Sequence, residues 1–190
     1  MAKLAGRITD SETGETVSAR VNVTDAAGEF LHPIDSLLKI GPGTSFFYSS
    51  GSFEIDVPRG QVRVIVERGT EYIPATLDIE ASSQGTVIAD VQLKRWSKLG
   101  TEGWHPGNTH IHYDEKEKRP DDRLHLDPRV EDLRMTAVSI LKRWDLEYAS
   151  NKYSPGLMTD FTSAHHYVQC GEESRHNAEE SHSPGYGHIM

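Results

Sequence analysis

Short apolar–polar alternations, each bounded by turn residues, run through the first half of the chain and limit what it can fold into. Successive side chains of a β-strand point to opposite faces, so alternation with a period of two predicts a strand with one buried face. Five segments show this pattern: 17–24, 52–57, 61–67, 76–80 and 86–93. Such strands predict an antiparallel β-sandwich over residues 1–95, with a hairpin at Pro58–Gly60 and a long loop at 32–51.

The pattern changes after a linker at residues 96–104, which is rich in tryptophan and glycine. Asp127 followed by Pro128 predicts the start of a short helix, because proline is favoured at the first helical position after an N-cap. Residues 136–141 and 167–170 are strand candidates, and 187–190 could start another strand. A strand–helix–strand order predicts an α/β unit over residues 105–190.

Histidine is concentrated in this second part. His32 is the only histidine before residue 100, and the other nine lie between 105 and 188. His110 and His112 are two positions apart, so in a strand their side chains project to the same face. Two neutral imidazoles placed this way suit zinc and related transition metals, whereas magnesium prefers oxygen ligands. Taken alone, the pair fits a half-buried strand with two polar residues more simply than a metal site.

The start of the chain resembles a known domain family. Residues 6–10, Gly-Arg-Ile-Thr-Asp, and residues 13–21, Thr-Gly-Glu-Thr-Val-Ser-Ala-Arg-Val, are similar to the first hairpin of carboxypeptidase regulatory-like domains. That resemblance covers about half of the chain. It implies a transthyretin-like β-sandwich that serves as a structural or docking module.

Three features of the second half resemble a family of metallohydrolases. His-x-His follows a glycine turn at residues 107–112, Gly-x-Glu ends a strand candidate at 171–173, and Gly-His follows at 187–188. Their order is similar to the polymerase-and-histidinol-phosphatase (PHP) superfamily, in particular its carbaryl-hydrolase-like branch, which often carries a β-sandwich before a distorted β/α barrel. The resemblance implies a divalent metal, with zinc favoured over manganese or iron. Its implied ligands are His110, His112, Glu173 and His188.

Several nearby residues are further candidates for that site. Glu172 competes with Glu173 for the carboxylate position, and Asp114 could accept a hydrogen bond from His112. Arg175 and His176 are candidate substrate contacts beside the carboxylate. The adjacent histidines at 165 and 166 could supply or orient a ligand.

The chain departs from the PHP pattern in two places. Many members carry an Asp-His pair at the end of the second strand, where this chain has only Asp145 within residues 142–145. A β/α barrel needs about 200 residues or more, whereas about 85 follow the linker. We therefore expect residues 105–190 to be the N-terminal part of a truncated PHP-like domain.

Three functional hypotheses follow. The first is hydrolysis of an ester, phosphoester or amide-like bond in a small-molecule substrate by metal-activated water. The second is a non-catalytic cell-surface binding or structural module built on the sandwich. The third is an inactive fragment whose full-length parent is an enzyme.

Composition excludes some other classes. The net charge of −9 argues against a nucleic-acid partner, since phosphate binding requires a basic face. No apolar run reaches the roughly 18–20 residues that span a bilayer, and no signal segment is visible at the start. Cys170 is the only cysteine, so no intrachain disulfide forms, and its apolar strand predicts a packed thiol. Localisation is undecided, with a secreted or periplasmic site favoured over the cytoplasm by the sandwich-plus-hydrolase arrangement.

Overall fold

The alternating segments of the first half form β-strands in the computed structural model, which describes residues 1–82, 85–141 and 147–173. The chain divides into a first unit, residues 1–104 with 129–132, and a second unit, residues 105–128 with the residues from 133 onward. Each unit has its own hydrophobic core. The described strands of the first unit are β1 (Ala2–Asp10), β2 (Ala19–Asp25), β3 (Phe30–Leu31), β4 (Phe47–Ser49), β5 (Ser52–Val57), β6 (Gly60–Glu67), β7 (Tyr72–Ile73), β8 (Ala75–Ala81) and β9 (Thr86–Arg95).

Two sheets make the first unit a β-sandwich, as the alternation predicts. One sheet has the order β5-β1-β9-β7 and the other the order β3-β2-β6-β8. β4, which lies in the stretch predicted as a long loop, also pairs with β2. The inward side chains form one core, in which the rings of Phe47 and Phe53 meet edge to face with centroids 5.3 Å apart. Full burial of such a side chain contributes about 1.5–3 kcal/mol to folding, so each inward position of the alternating pattern stabilises this unit.

The hairpin predicted between β5 and β6 is wrong, because these strands lie in different sheets. β5 pairs with β1, whereas β6 pairs with β2 and β8. The connection at residues 58–60 carries the chain from one sheet to the other. Gly60 has a φ of 117° there, which glycine adopts without steric strain. The carboxypeptidase-like resemblance implies that the first two strands form a hairpin. In the structure β1 and β2 belong to different sheets, and an isolated β-bridge between Thr9 and Thr16 lies in the connection between them.

The sheet that contains β1 is mixed, whereas the sequence predicts an antiparallel one. β1 lies between β5, to which it is antiparallel, and β9, to which it is parallel. The parallel register is continuous from Lys3 opposite Thr86 to Asp10 opposite Leu93. The first and last strands of the sandwich are therefore neighbours.

A buried polar cluster surrounds Asp10 at the end of β1. Asp10 Oδ1 accepts hydrogen bonds from the backbone N–H groups of Glu12 and Thr13, at 2.8 and 3.0 Å. Asp10 Oδ2 accepts the hydroxyl of Tyr72 at 2.7 Å and lies 3.9 Å from Arg95 Nε. The Arg95 guanidinium also lies 4.2 Å from the centre of the Tyr72 ring. These contacts lie within the first unit and give the buried carboxylate its hydrogen-bond donors and a nearby positive charge.

Parallel strands joined through a helix make up the second unit. Its described elements are β10 (Gly107–Ile111), α1 (Pro120–Val130, whose last two residues fall in the first unit), β11 (Met135–Ile140), β12 (Gly156–Leu157) and β13 (Tyr167–Glu172). The sheet order is β10-β11-β13-β12, with β12 antiparallel to β13 and the other pairs parallel. Leu124 of α1 packs in one core with Val138, Val168 and Cys170. The strand–helix–strand order is as predicted.

The helix begins at Pro120, so the predicted start at Asp127 is wrong. Proline lacks the N–H that a first helical residue leaves unpaired anyway, and Asp121 and Asp122 face the positive end of the helix dipole. Pro128 lies inside the helix near its end. There it removes a backbone donor, and the helix ends at Val130.

The predicted PHP-type barrel is wrong. Within the residues that the structure describes, the second unit has a four-stranded sheet and one α-helix, whereas a β/α barrel follows each strand with a helix. The described chain is mostly β-sheet. No helix in it is long and apolar enough to cross a membrane.

Candidate metal centre

Three of the predicted ligands come together at one edge of the second unit's sheet. His110 lies in β10, His112 directly follows β10, and Glu173 directly follows β13. The Nε2 atoms of the two histidines are 2.8 Å apart, and Glu173 Oε2 lies 3.1 Å from His110 Nε2. The same carboxylate oxygen contacts His112 Nε2. One ligand atom from each residue lies within 4.8 Å of the others.

Parallel pairing explains why residues so distant in sequence meet. The carboxyl ends of parallel strands lie at the same edge of a sheet, and β10 and β13 flank β11 on either side. The Glu173 N–H donates to Ile140 O over 2.9 Å, which holds the acidic residue beside the end of β11. The β10 register shifts between Asn108 and Ile111, and Asn108 Oδ1 accepts the His110 N–H at 2.9 Å. Such irregularities re-aim side chains, and this one lies at His110.

The three side chains differ in burial, and the acid is the most buried. Side-chain exposure is 42% for His110, 13% for His112 and 0% for Glu173. A carboxylate removed from solvent requires a proton, hydrogen-bond donors or a cation, because an unpaired buried charge is costly. Two imidazole nitrogens and one carboxylate oxygen converge here. A shared proton or a metal cation would balance their lone pairs and charge.

The donor set fits a zinc-type ion. Zinc binds histidine nitrogen and carboxylate oxygen at about 2.0–2.2 Å, so neighbouring ligand atoms of a tetrahedral site are about 3.3 Å apart. The 2.8 and 3.1 Å separations observed and the closer contact between His112 Nε2 and Glu173 Oε2 are shorter than that spacing, so the three side chains would have to move apart to bind an ion. Two imidazoles with a carboxylate suit zinc, manganese or iron better than magnesium.

A backbone carbonyl and an aromatic ring, neither of them predicted from the sequence, contact the His112 imidazole. Its Nδ1 lies 3.2 Å from the carbonyl oxygen of Ser139, and its ring centre is 5.2 Å from that of Tyr148. The sequence suggested Asp114 as the acceptor for the His112 ring N–H, but Asp114 is exposed and accepts the Lys116 N–H instead. A backbone carbonyl has no residue-type signature, so no pattern in the sequence could have identified the Ser139 contact.

The remaining candidates divide between described and undescribed residues. Glu172 is exposed and is not part of the cluster. His166 is buried, and its Nδ1 donates to Leu133 O at 2.6 Å. Burial raises the pKa of the Cys170 thiol, which packs in the core as predicted. Four candidates lie outside the described residues, so their roles stay predictions: Asp145, Arg175, His176 and His188.

Comparisons with known proteins identify no family for the chain. No family model and no curated protein matches it. Among solved structures, the Bacillus anthracis TIE protein is similar at 15% identity and a TM-score of 0.35, covering 50% of this chain and 16% of that protein. The group B streptococcus pilus 2b backbone protein is similar at 14% identity and a TM-score of 0.39, covering 52% of this chain and 43% of that protein. The chain thus spans less than half of either protein, and similarities this low carry no functional argument.

The metallohydrolase interpretation is wrong. No family model and no curated protein supports a PHP or carboxypeptidase regulatory-like domain. The described part of the fold is mostly sheet with one α-helix, unlike a hydrolase barrel. The predicted hydrolase activity and the small-molecule substrate are therefore abandoned. The convergence of His110, His112 and Glu173 is independent of that family.

Proposed function

We propose that this chain is a non-catalytic structural or binding module of the cell surface, whose second unit binds one divalent metal ion. The observation that carries the metal-binding part of the proposal is the convergence of His110, His112 and Glu173, whose carboxylate side chain has no exposed surface. Zinc is the favoured ion, and manganese and iron are the alternatives. A transthyretin-like class for the sandwich belongs to the same proposal.

The role proposed for the ion is to stabilise the strand ends. His110 lies on β10 and Glu173 directly follows β13, and these two strands do not pair with each other, since β11 separates them. A shared ion would link these two ends of the sheet directly. A ligand that binds only the folded state adds about 2.7 kcal/mol to the free energy of unfolding at 100 times its Kd.

The polar interior of the sandwich supports a scaffold role for the first unit. Asp10, Tyr72 and Arg95 are buried or half-buried and bond to one another. Buried polar groups that bond to one another in this way stabilise the fold. Among the described residues, the potential metal cluster lies in the second unit.

Zinc titration of chelator-treated protein tests the metal site. We expect one zinc ion per chain by calorimetry and a raised melting temperature. His112→Ala and Glu173→Gln should each weaken binding at least about tenfold, because each removes one of three described ligands. His32→Ala is the matched control, since His32 is an exposed histidine of the first unit. Uptake of no zinc, manganese or iron by the wild-type protein would refute the site.

Protease treatment of intact cells tests the surface location. We expect the native chain to be digested while a cytoplasmic marker protein stays intact. Protection of the chain until the cells are lysed would contradict a cell-surface module and leave the metal proposal to the titration.

A further inference from the structure

We infer that Ser150 is a positioning residue of the metal centre, which holds together the two backbone segments that orient His112. The inference rests on the metal site proposed above. Ser150 lies in a short 3₁₀ helix, Ala149–Lys152, and its exposed fraction is 0%. It is not one of the three ligands, so its effect on a bound ion would act through His112.

The tautomer of His112 follows from its contact with Ser139. A carbonyl oxygen can only accept, so the 3.2 Å contact places the ring hydrogen of neutral His112 on Nδ1. The lone pair is then on Nε2, where it could bind an ion. In the metal-free protein, the hydrogen between Nε2 and Glu173 Oε2 would then have to come from a protonated carboxyl. Metal-bound histidines usually donate their second ring N–H to such a group, which fixes both tautomer and ring orientation.

Ser150 bridges the backbone on both sides of this contact. Its hydroxyl donates to the same Ser139 carbonyl oxygen at 3.2 Å and accepts the N–H of Tyr113 at 3.4 Å. The Ser150 N–H donates in turn to Tyr113 O at 3.4 Å. Tyr113 directly follows His112, so one buried serine ties the backbone that carries the imidazole to the carbonyl that orients it.

Asn151 keeps this serine in place. Its Oδ1 accepts the Leu141 N–H and its Nδ2 donates to Leu141 O, both at 2.9 Å. The amide thereby pairs with the backbone just beyond β11, the strand that provides the Ser139 carbonyl. Two short, matched hydrogen bonds anchor the 3₁₀ helix, and the longer Ser150 contacts extend this anchoring to His112.

Zinc affinity is the first test. Ser150→Ala removes the hydroxyl and keeps all three ligands. Partners of metal ligands typically tune affinity by about 10–100-fold, so we expect zinc binding to weaken by that factor. Ser150→Thr keeps the hydroxyl and should recover most of the affinity. Ser154→Ala, which changes an exposed serine of the same segment, should bind zinc like the wild type.

The His112 tautomer in zinc-free protein is the second test. Nitrogen-15 chemical shifts distinguish the two neutral forms. We expect hydrogen on Nδ1 in the wild type and a mixture of both forms in Ser150→Ala, with His32 unchanged in both. Ser150→Cys, with a weaker donor of similar shape, replaces Ser150→Ala if that variant does not fold, and should shift the tautomer in the same direction.

The two tests separate this inference from the proposed function. A folded Ser150→Ala protein with wild-type zinc affinity, or with an unchanged His112 tautomer, overturns the role of Ser150. If the wild-type protein binds no metal, the proposed function fails. The tautomer comparison then still decides whether Ser150 positions His112.

Discussion

At the scale of single residues, Gly6 shows how closely the core of the sandwich is packed. A Cβ atom at this position of β1 would lie 2.1 Å from the ring of Phe53 in the neighbouring strand β5. The aromatic ring occupies the space where another residue would have its side chain. The sequence shows a glycine in the first strand, but the ring that requires it became evident only with the β1–β5 pairing.

Gly6→Ala should therefore destabilise the first unit. Forcing an extra carbon into a filled core typically costs about 1–3 kcal/mol, so we expect a lower midpoint of urea unfolding with an unchanged slope. Gly171→Ala is the matched control, because a Cβ there meets no atom within 4 Å. Equal loss of stability in both variants would show that the Phe53 contact is not the cause.

Asp10 makes the free energy of unfolding of the first unit depend on pH in the acidic range. Burial by itself raises the pKa of this carboxyl, but the hydrogen bonds from Thr13, Tyr72 and Glu12 and the charge of Arg95 outweigh it. Its pKa in the folded state is therefore below the ordinary value of 3.8. A group with a lowered folded pKa stabilises the protein above its unfolded pKa, and that contribution is lost as the pH falls through the folded pKa.

We expect Asp10→Asn to be less stable than the wild type at neutral pH, with the difference shrinking from about pH 4 downward. Urea unfolding at a series of pH values measures both quantities. Asp56→Asn is the control, since the Asp56 side chain is 61% exposed. A stability difference that stays constant down to pH 2 would contradict the assignment.

At the scale of elements, the sequence identified strands far better than it identified their partners. The alternation predicts β5 at its observed bounds and β6 to within one residue. Alternation reports which face of a strand is buried, and both faces of a sandwich core are filled by the same residue types. It therefore contains no information on whether β5 pairs with β1 or with β6.

The helix error has a different physical origin. Pro120 with two following aspartates and Asp127 with Pro128 are both acceptable helix starts by local rules. Leu124 settles the choice, because it must lie on the helix to reach the core that β11 and β13 form. That requirement is tertiary and cannot be derived from a local signal.

At the scale of the whole molecule, the sequence picked out three side chains that lie together, but the family and the barrel that it suggested are wrong. The His-x-His spacing and the Gly-x-Glu after a strand predicted three side chains that the parallel sheet brings together. Those short motifs report the geometry at the ends of parallel strands. They do not determine how many further strands follow or whether chemistry occurs there, which is why the same residues supported a wrong family.

The parallel pairing of β1 and β9 also makes the force needed to unfold the sandwich depend on the direction of pulling. Force applied outward at the start of β1 and the end of β9 slides the strands past each other, and their evenly spaced hydrogen bonds bear the load together. Force applied at Ala2 and Val57, which lie opposite each other in the antiparallel β1–β5 pair, opens that pair one bond at a time. Single-molecule pulling should give a higher rupture force for attachment at Ala2 and Arg95 than at Ala2 and Val57, and equal forces would contradict this. A sandwich pulled between these two strand ends would thus resist in shear, with its strongest direction set by the register of two strands.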